Sequence, residues 1–533
     1  MKQLKMSECR IYGPPGTGKT TWVVKKASEI AEKVGSDQVS ICSLTNSAIR
    51  EVAGREILVD PENISTLHAR CKRALGAPAP AESFVKEFIS AYPKHSTEEC
   101  LPPGLRRGSA RLEGEDMAEM VFAGKQISLY ERVMINRQKL IPQESWGSDL
   151  RNWYKAWDSW CKDTGRYDFT GWLETSLKHR PLPAQQVIFI DEAQDHTPLQ
   201  LAVIRSWNCR QRVLVGDDDQ NLYEWSGAVP EAFLDKGIPV VEEKVLEQSF
   251  RVPAAVHSEA VKWIRQIRNR KDKVYLPTNV TGKVTRSWFA IENLIDGNLP
   301  RDFLEDSSKS YMLLASCGYM LDDVVRYLRY KGIPFHNPYR KTNSKWNPLL
   351  SVSSVLDDFL RGWSREEVCW TGMEASNWAE SLRAKGVYSP NKREAFLERF
   401  CGARMEEGFI KLEDLSEFFL LESLERIVAK DLTIFKDYKK LTSTSPWEYA
   451  LGIYSKPEVE RVPKVIVGTI HSVKGGEADN VYLFPDISGA GWENYIGHER
   501  DRITRLYYVG MTRAKNELIL CSPNQRTYSV DWR

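Results

Sequence analysis

The sequence lacks the paired cysteine spacing of metal-binding proteins, although it contains ten cysteines. No two of them form a C-x-x-C pair, which argues against a zinc ribbon and against an iron–sulfur cluster. Cysteines scattered through a chain of 533 residues are typical of free thiols in a reducing compartment.

The sequence also lacks a long apolar run and a signal-peptide pattern. No stretch approaches the roughly 18 apolar residues that a membrane span needs. The first ten residues, MKQLKMSECR, contain no apolar h-region. We therefore expect a soluble, cytoplasmic protein with no membrane partner; a virus-encoded chain would reside in the host cell.

A large net charge is absent as well. Lysine plus arginine is 74 and aspartate plus glutamate is 72, which excludes a uniformly basic coating protein and an acidic disordered chain. The charge is nevertheless uneven along the chain. Residues 182–250 carry 5 basic and 12 acidic groups, whereas residues 251–345 carry 17 and 9. Taken singly, each stretch is typical of solvated surface.

A phosphate-loop pattern, G-x-x-x-x-G-K-[ST], stands at residues 13–20. A short strand pattern precedes it and a helical pattern follows it. In this context backbone N–H groups face the phosphates, and the helix N-terminus favours negative charge. Lys19 would reach the β- and γ-phosphates, and the Thr20 hydroxyl would bind Mg²⁺. The candidate ATP-binding residues here are Gly13, Pro14, Pro15, Gly16, Thr17, Gly18, Lys19, Thr20 and Thr21.

Two acids, Asp191 and Glu192, directly follow the apolar run at residues 187–190. Ligands of open α/β sheets bind at the carboxyl ends of strands. Asp191 can hold Mg²⁺, and Glu192 can orient and deprotonate the attacking water.

A further strand pattern, at residues 212–215, leads into the sequence GDDDQ. Three successive aspartates after a strand usually form a solvated turn. Gln220, which follows them, is placed to sense a γ-phosphate. The rings of Tyr223 and Trp225 could contact nucleic-acid bases.

Seven segments, in this order, resemble the motifs of the UvrD/Rep-like branch of the superfamily 1 DNA helicases (SF1A). They are SLTN at 43–46, STLH at 65–68, DEAQD at 191–195, GDDDQNLYEWSGA at 216–228, LEQSFR at 246–251, VGTIHSVKGGE at 467–477 and RLYYVGMTRAK at 505–515. The resemblance covers nearly the whole chain, and residues 76–160 and 346–460 are the least covered.

The resemblance implies an ATP-dependent DNA helicase with an α/β fold. Two RecA-like P-loop motor domains, each with a mostly helical insertion, would bind ATP and Mg²⁺ between them. The implied ranges are 1–75 and 182–250 for the first motor domain, 76–181 for its insertion, 251–345 and 461–533 for the second motor domain, and 346–460 for its insertion. The implied partners are single-stranded DNA and single-strand/duplex junctions; no protein partner is indicated.

The family's functional residues can be carried over by position. Arg251 and Arg513 resemble the two arginines that reach the γ-phosphate, Phe250 stands where an adenine-stacking tyrosine is usual, and Glu477 resembles the acid near the ribose. The implied catalytic residues are Glu192, Gln220, Arg251 and Arg513. The implied DNA-binding residues are Thr45, Asn46, His68, Tyr223, Trp225 and His471.

The chain departs from the family pattern at several positions. The family's upstream glutamine motif, which reads adenine, is not matched by Gln3, so the preference for ATP over other nucleoside triphosphates stays open. Leu44 and Leu67 replace aromatic residues and Ser226 replaces an arginine, each of which weakens one DNA contact. The sequence after GDDDQ lacks the proline-rich continuation of the RecD-like branch, which favours 3′-to-5′ travel.

Several alternatives remain at this point. The same motifs would serve a translocase that removes proteins from single strands without efficient unwinding. A non-catalytic DNA-binding scaffold would require lost hydrolytic residues, and none is lost. RNA could replace DNA as the track. The stripe of Trp153, Trp157 and Trp160 on a predicted helix is expected to be core rather than a base-stacking platform.

Overall fold

The computed structural model describes residues 7–44, 49, 52–106, 127–179, 185–297, 299–300, 303–340, 345–350, 352–400, 409–437, 446–455, 463–524 and 527–532. The chain divides into two units, and each has buried hydrophobic residues of its own. The first unit contains Met1–Trp288, Leu314–Gly318 and Thr469–Arg533, and the second contains Phe289–Leu313 and Tyr319–Gly468.

The described residues form strands that are mostly short. They are β1 (Ser7–Tyr12), β2 (Val39–Ser43), β3 (Ile64–Thr66), β4 (Val187–Ile190), β5 (Gln211–Gly216), β6 (Val240–Val245), β7 (Lys283–Arg286), β8 (Tyr311–Ala315), β9 (Phe335–His336), β10 (Cys369–Thr371), β11 (Phe409–Lys411), β12 (Val465–Thr469), β13 (Ala478–Leu483), β14 (Asp486–Ile487), β15 (Ala514–Leu520) and β16 (Tyr528–Ser529).

The α-helices lie between these strands. They are α1 (Lys19–Val34), α2 (Leu67–Ala74), α3 (Val85–Ala91), α4 (Pro103–Arg106), α5 (Leu129–Gln138), α6 (Ser148–Asp163), α7 (Phe169–His179), α8 (Pro198–Ser206), α9 (Pro230–Phe233), α10 (Ala254–Ile264), α11 (Asn293–Asp296), α12 (Asp322–Lys331), α13 (Ser353–Arg361), α14 (Gly372–Glu380), α15 (Lys392–Phe400), α16 (Leu421–Val428), α17 (Pro446–Tyr454), α18 (Gly489–Ile496) and α19 (Arg500–Met511).

The first unit is built on a six-stranded sheet in the order β3-β2-β4-β5-β1-β6. Its strand pairs are parallel. The fully buried run of β4 is typical of a parallel strand covered on both faces. Because β5 lies between β4 and β1, Gly13, Asp191 and Asp217 all follow neighbouring strands at one edge of the sheet.

A second parallel arrangement within this unit contains β13, β15 and β7, with β15 in the middle. Strand β15 begins directly after Arg513. Residues 503–511 of helix α19 are all buried, so the segment that leads to Arg513 is held on every side. Together with the six-stranded sheet, this second parallel arrangement confirms the predicted α/β fold with two parallel-sheet domains.

Helices α3 to α6 of the first unit enclose a core rich in aromatic side chains. Trp153, Trp157 and Trp160 are buried on α6. The ring of Phe88 on α3 lies 6.2, 4.9 and 5.4 Å from these three rings. The prediction that the tryptophan stripe is core is therefore confirmed.

The second unit combines short strands with helices α11 to α17. Strand β9 pairs in parallel with β12, through Phe335 and Val465, and β10 pairs antiparallel with β11. Its aromatic core contains Phe359, whose ring lies 5.5 Å from that of Trp378. Much of the aromatic content of the chain is thus used for packing.

The expectations about cysteines and membrane spans can be compared with the described residues of both units. Nine cysteines lie in the described residues, and all nine are buried free thiols. Among the described residues, no helix combines the length and the apolarity that a bilayer crossing requires.

Candidate active site

The phosphate loop connects the end of β1 to the start of α1. The Gly13 N–H donates to the Gly216 carbonyl at 2.9 Å, which anchors the loop to β5. Lys19 Nζ donates to the Gly13 carbonyl oxygen at 3.0 Å, and Thr17 Oγ1 donates to that of Pro14 at 2.8 Å. Gly18 precedes α1 in the left-handed conformation. Since no side chain caps α1, its first N–H groups are available to an anion.

The segment that contains Phe250 and Arg251 packs directly on this loop. The Phe250 N–H donates to the Gly16 carbonyl at 2.8 Å, and Ser249 Oγ donates to that of Pro15 at 3.0 Å. Gly16 has φ +75°, and a Cβ there would lie 2.7 Å from Arg251 Cβ, so glycine is required. Phe250 is 76% exposed, which leaves its ring free for a ligand beside the loop.

The paired acids follow β4 at the same edge of the sheet. Asp191 is buried and accepts a hydrogen bond from Thr20 Oγ1 at 3.2 Å. Hydroxyl and carboxylate oxygens are the ligands that Mg²⁺ prefers, so this pair fits the ion. Burial raises the pKa of Asp191, the charge of Glu192 adds to the effect, and Lys19 opposes it.

Glu192 adopts a left-handed backbone conformation, with φ +52°. Its N–H donates to Asp191 Oδ1 at 2.9 Å. Burial opposes its ionisation, but the positive charges of Lys19 and Lys474 outweigh burial and lower the pKa of Glu192. It is therefore a carboxylate at neutral pH, as a general base must be.

The side chains of Gln220 and Arg513 are in contact. Arg513 Nη2 donates to Gln220 Oε1 at 3.4 Å, while Nη1 and Nε donate to the carbonyls of Gly476 and Val509 at 3.2 and 2.9 Å. Both side chains are buried. The structure thus brings together two residues that the sequence separates by 293 positions.

Three residues of this site were missed by sequence reasoning. Lys474 Nζ pairs with Asp195, donates to the Gln220 carbonyl at 3.1 Å and lies 5.3 Å from the Tyr223 ring centroid. Gln194 and Lys273 contact the acidic residues of the site. Lys474 and Gln194 lie inside the segments that resemble family motifs, so their motif positions could have identified them as site residues. Lys273 lies outside all of these segments.

The three aspartates before Gln220 do not form the solvated turn that such a run usually forms. Asp217, Asp218 and Asp219 are all buried. Lys273 and Arg270 provide their counter-charges. Buried carboxylates persist only when they are paired in this way.

The candidate nucleoside contacts lie in partly exposed positions. The Glu477 carboxylate is 3.6 Å from Lys515 Nζ, and its side chain is 48% exposed. The Thr21 hydroxyl accepts a hydrogen bond from Arg55 at 2.6 Å.

The candidate DNA-binding residues are less accessible than expected. The Trp225 side chain is buried, and its ring centroid lies 5.8 Å from that of Tyr223. His471 is also buried. Burial lowers the pKa of His68 to about 4, so its imidazole is neutral at pH 7. Thr45 and Asn46 lie outside the described residues.

The phosphate loop, the paired acids and the buried arginine define a P-loop nucleoside-triphosphatase. The family model of the UvrD/REP helicase N-terminal domain matches residues 2–237 of this chain. The family model of the UvrD-like helicase C-terminal domain matches residues 394–525. The chain belongs to the UvrD/Rep-like superfamily 1 helicases and is an ATP-dependent DNA helicase.

Curated relatives agree with this family. A probable DNA helicase II homolog of Mycoplasma genitalium is 21% identical over 96% of this chain and 82% of its own length. F-box DNA helicase 1 of Gallus gallus is 24% identical over 96% of this chain, which spans 47% of that protein. The ATP-dependent DNA helicase PcrA of Staphylococcus epidermidis is 20% identical over 97% of this chain and 81% of its own length.

Proposed function

We propose that this helicase couples ATP hydrolysis to 3′-to-5′ movement on single-stranded DNA and unwinds duplex from single-strand/duplex junctions. The observation that carries the proposal is the contact of Arg513 with Gln220, at 3.4 Å, together with the packing of Phe250 on the phosphate loop. Segments that are far apart in the sequence would thereby share one nucleotide site. ATP binding and release can then change how the segments that carry them are arranged.

The residues divide the hydrolytic work among themselves. Thr20 and Asp191 would hold Mg²⁺, which when bound supplies positive charge to the phosphate oxygens. Lys19 would bind the β- and γ-phosphates from the phosphate loop. Glu192 would accept the proton of the attacking water because it stays ionised.

Two arginines and a glutamine would stabilise the transferring phosphoryl group. Arg251 and Arg513 supply positive charge where negative charge develops, and preorganised charge of this kind is effective in a buried site. Gln220 would sense the γ-phosphate. Phe250 would stack on the nucleobase and Glu477 would accept a hydrogen bond from the ribose.

The DNA track would run over the residues nearest this machinery. Tyr223 and Trp225 would contact bases, and His68 and His471 would contact the strand together with Thr45 and Asn46. Lys474 supports this arrangement because it contacts Asp195, Gln220 and the Tyr223 ring at once. A change at the γ-phosphate can therefore reach the proposed DNA contacts through one side chain.

We also propose the domain assignment that this mechanism needs. Residues 1–75 with 182–250, and residues 251–345 with 461–533, would be the two motor domains. Residues 76–181 and 346–460 would be their insertions. Closing and opening of the motor domains around ATP would advance the strand.

The test is displacement of tailed duplexes with each of the four nucleoside triphosphates, beside the Lys19→Ala variant. We expect unwinding of 3′-tailed duplex, DNA-stimulated turnover, and loss of both in the variant. Unwinding of only 5′-tailed duplex would overturn the polarity. Equal turnover by wild type and variant would overturn the hydrolytic assignment.

A protein-displacement assay on single-stranded DNA distinguishes a helicase from a translocase that does not unwind duplex. Removal of a bound protein without duplex unwinding would indicate the translocase instead. Stimulation by RNA equal to that by DNA would indicate a different track.

A further inference from the structure

Lys273 is a buried cation that no quoted motif contains. Its side chain is 2% exposed, and the two family matches end at residue 237 and resume at residue 394. Its Nζ lies 2.6 Å from an oxygen of Asp217, 2.5 Å from one of Asp218 and 3.0 Å from one of Asp219. One ammonium group therefore contacts three consecutive buried carboxylates.

A lysine suits this position chemically. Its compact ammonium has three donors, one for each carboxylate, whereas a planar guanidinium spreads its donors over a wider fork. Burial alone lowers the pKa of Lys273, but the three carboxylates outweigh burial and raise it well above its ordinary value. Lys273 thus remains charged. Arg270 adds a second cation, with its Nε 2.9 Å from Asp219 Oδ1.

The two oxygens of Asp217 contact different partners. Oδ1 accepts from Lys273, and Oδ2 accepts from Gln220 Nε2 at 2.7 Å. The other end of the Gln220 amide, Oε1, accepts from Arg513. A chain of polar contacts therefore runs from Lys273 through Asp217 to Gln220 and ends at Arg513.

We propose that Lys273 is a positioning residue for ATP hydrolysis: it fixes Asp217, and Asp217 in turn orients the Gln220 amide toward the γ-phosphate. This inference rests on the proposed role of Gln220. Lys273 itself would touch neither the nucleotide nor the attacking water. Its contribution is to the geometry of the transition state, so its loss should appear in kcat more than in KM for ATP.

The first test compares single variants in DNA-stimulated ATP turnover. Lys273→Arg keeps the charge but changes the donor geometry. We expect its kcat to fall about tenfold or more, with KM for ATP within about threefold of wild type. Lys271→Gln is the matched control, because Lys271 pairs with the partly exposed Glu243 instead. This control should turn over like wild type.

The decisive measurement is a double-mutant cycle with Gln220→Ala. If Lys273 acts through Gln220, then Lys273→Arg should cause no further loss of kcat in the Gln220→Ala background. A purely structural role would instead lower kcat by the same factor in both backgrounds, and that result would overturn the inference. Normal turnover of Lys273→Arg alone would overturn it as well.

The single variants distinguish a failure of the proposed function from a failure of the inference about Lys273. If Gln220→Ala turns over normally, the role of Gln220 in the proposed function fails; if only Lys273→Arg does, the inference fails and the proposed function stands. Should thermal melting show that Lys273→Arg does not fold, Asp217→Asn replaces it, since it weakens both links of the chain. Additive loss in that cycle would count against the inference in the same way.

Discussion

The side chain of Gln194 joins Glu192 to the backbone of Asp217. Its Nε2 donates to Glu192 Oε2 at 2.5 Å, and its Oε1 accepts from the Asp217 N–H at 2.9 Å. Gln194 is buried, and Glu192 holds a backbone conformation that is costly for a residue other than glycine. One amide therefore fixes the proposed base relative to the loop that leads to Gln220.

Replacing Gln194 by leucine should slow hydrolysis without weakening ATP binding. The variant loses a hydrogen bond to a charged group, worth about 1.5–3 kcal/mol. If that bond orients Glu192 in the transition state, kcat should fall about 10- to 100-fold, with KM for ATP nearly unchanged. DNA-stimulated turnover at saturating DNA provides the measurement.

Gln200→Leu is the control for this prediction. Gln200 is also a buried glutamine, but its Oε1 accepts from the Thr197 N–H at the start of α8. The control should lose about 1 kcal/mol of stability, as for a lost helix cap, and keep its kcat. A Gln194 variant that behaves like the Gln200 variant would contradict a role in orienting Glu192.

The parts of the site that follow from local chemistry could be predicted from the sequence. The phosphate loop depends on glycines, a lysine and a threonine at fixed spacing between one strand and one helix. The strand that ends directly before Asp191 is likewise a contiguous apolar run. Both elements form where the sequence places them.

The remaining features depend on partners that are distant in the chain. A run of aspartates after a strand is usually solvated, but here the run is buried because Lys273, which lies 55 residues beyond Asp218, provides the counter-charge. Trp225 was expected to present its ring, but it is only 9% exposed. Spacing alone does not reveal which side of a turn becomes covered in the folded unit.

Trp225→Ala should weaken binding of single-stranded DNA and leave DNA-independent ATP turnover unchanged. Stacking of a base on an aromatic ring is worth about 1–3 kcal/mol, so affinity should fall roughly 5- to 150-fold. Trp225→Phe keeps a ring in the same place and should recover most of that loss. Fluorescence anisotropy of a labelled single strand measures the DNA affinity of each variant. Wild-type DNA affinity of the Ala variant would show that the ring serves only as packing.

Trp157→Ala should destabilise the fold by about 3–5 kcal/mol, the usual cost of truncating a buried aromatic residue. Trp157 is fully buried and also donates from Nε1 to Asp168 Oδ2 at 2.8 Å. Trp288→Ala is the matched control, because Trp288 is 61% exposed and should change stability by less than about 0.5 kcal/mol. Denaturant unfolding compares them; similar midpoints for the two variants would contradict the core assignment.

Glu82 lies in the same core and is buried beside another carboxylate. Its Oε1 accepts from the Tyr130 hydroxyl at 2.7 Å and from the Phe169 N–H at 3.1 Å. Its Oε2 has no hydrogen-bond partner among the described residues. Burial, with the charge of Asp168 added, raises the pKa of Glu82 to about 8. Asp168 stays ionised because Arg137 pairs with it at 2.6 Å.

Glu82→Gln should therefore flatten the dependence of stability on pH. An unfolded glutamate titrates near 4.5, so between about pH 4.5 and 8 the folded wild type binds one more proton than the unfolded chain. Its stability must fall as pH rises through that window, by an amount on the order of a few kcal/mol, and level off above it. The glutamine variant has no such proton, so it should become the more stable protein at pH 8.5. Denaturant midpoints at pH 6 and pH 8.5 measure this, beside Glu87→Gln, whose glutamate is exposed and pairs with Arg166. Parallel slopes for wild type and both variants would show that Glu82 is ionised in the folded chain.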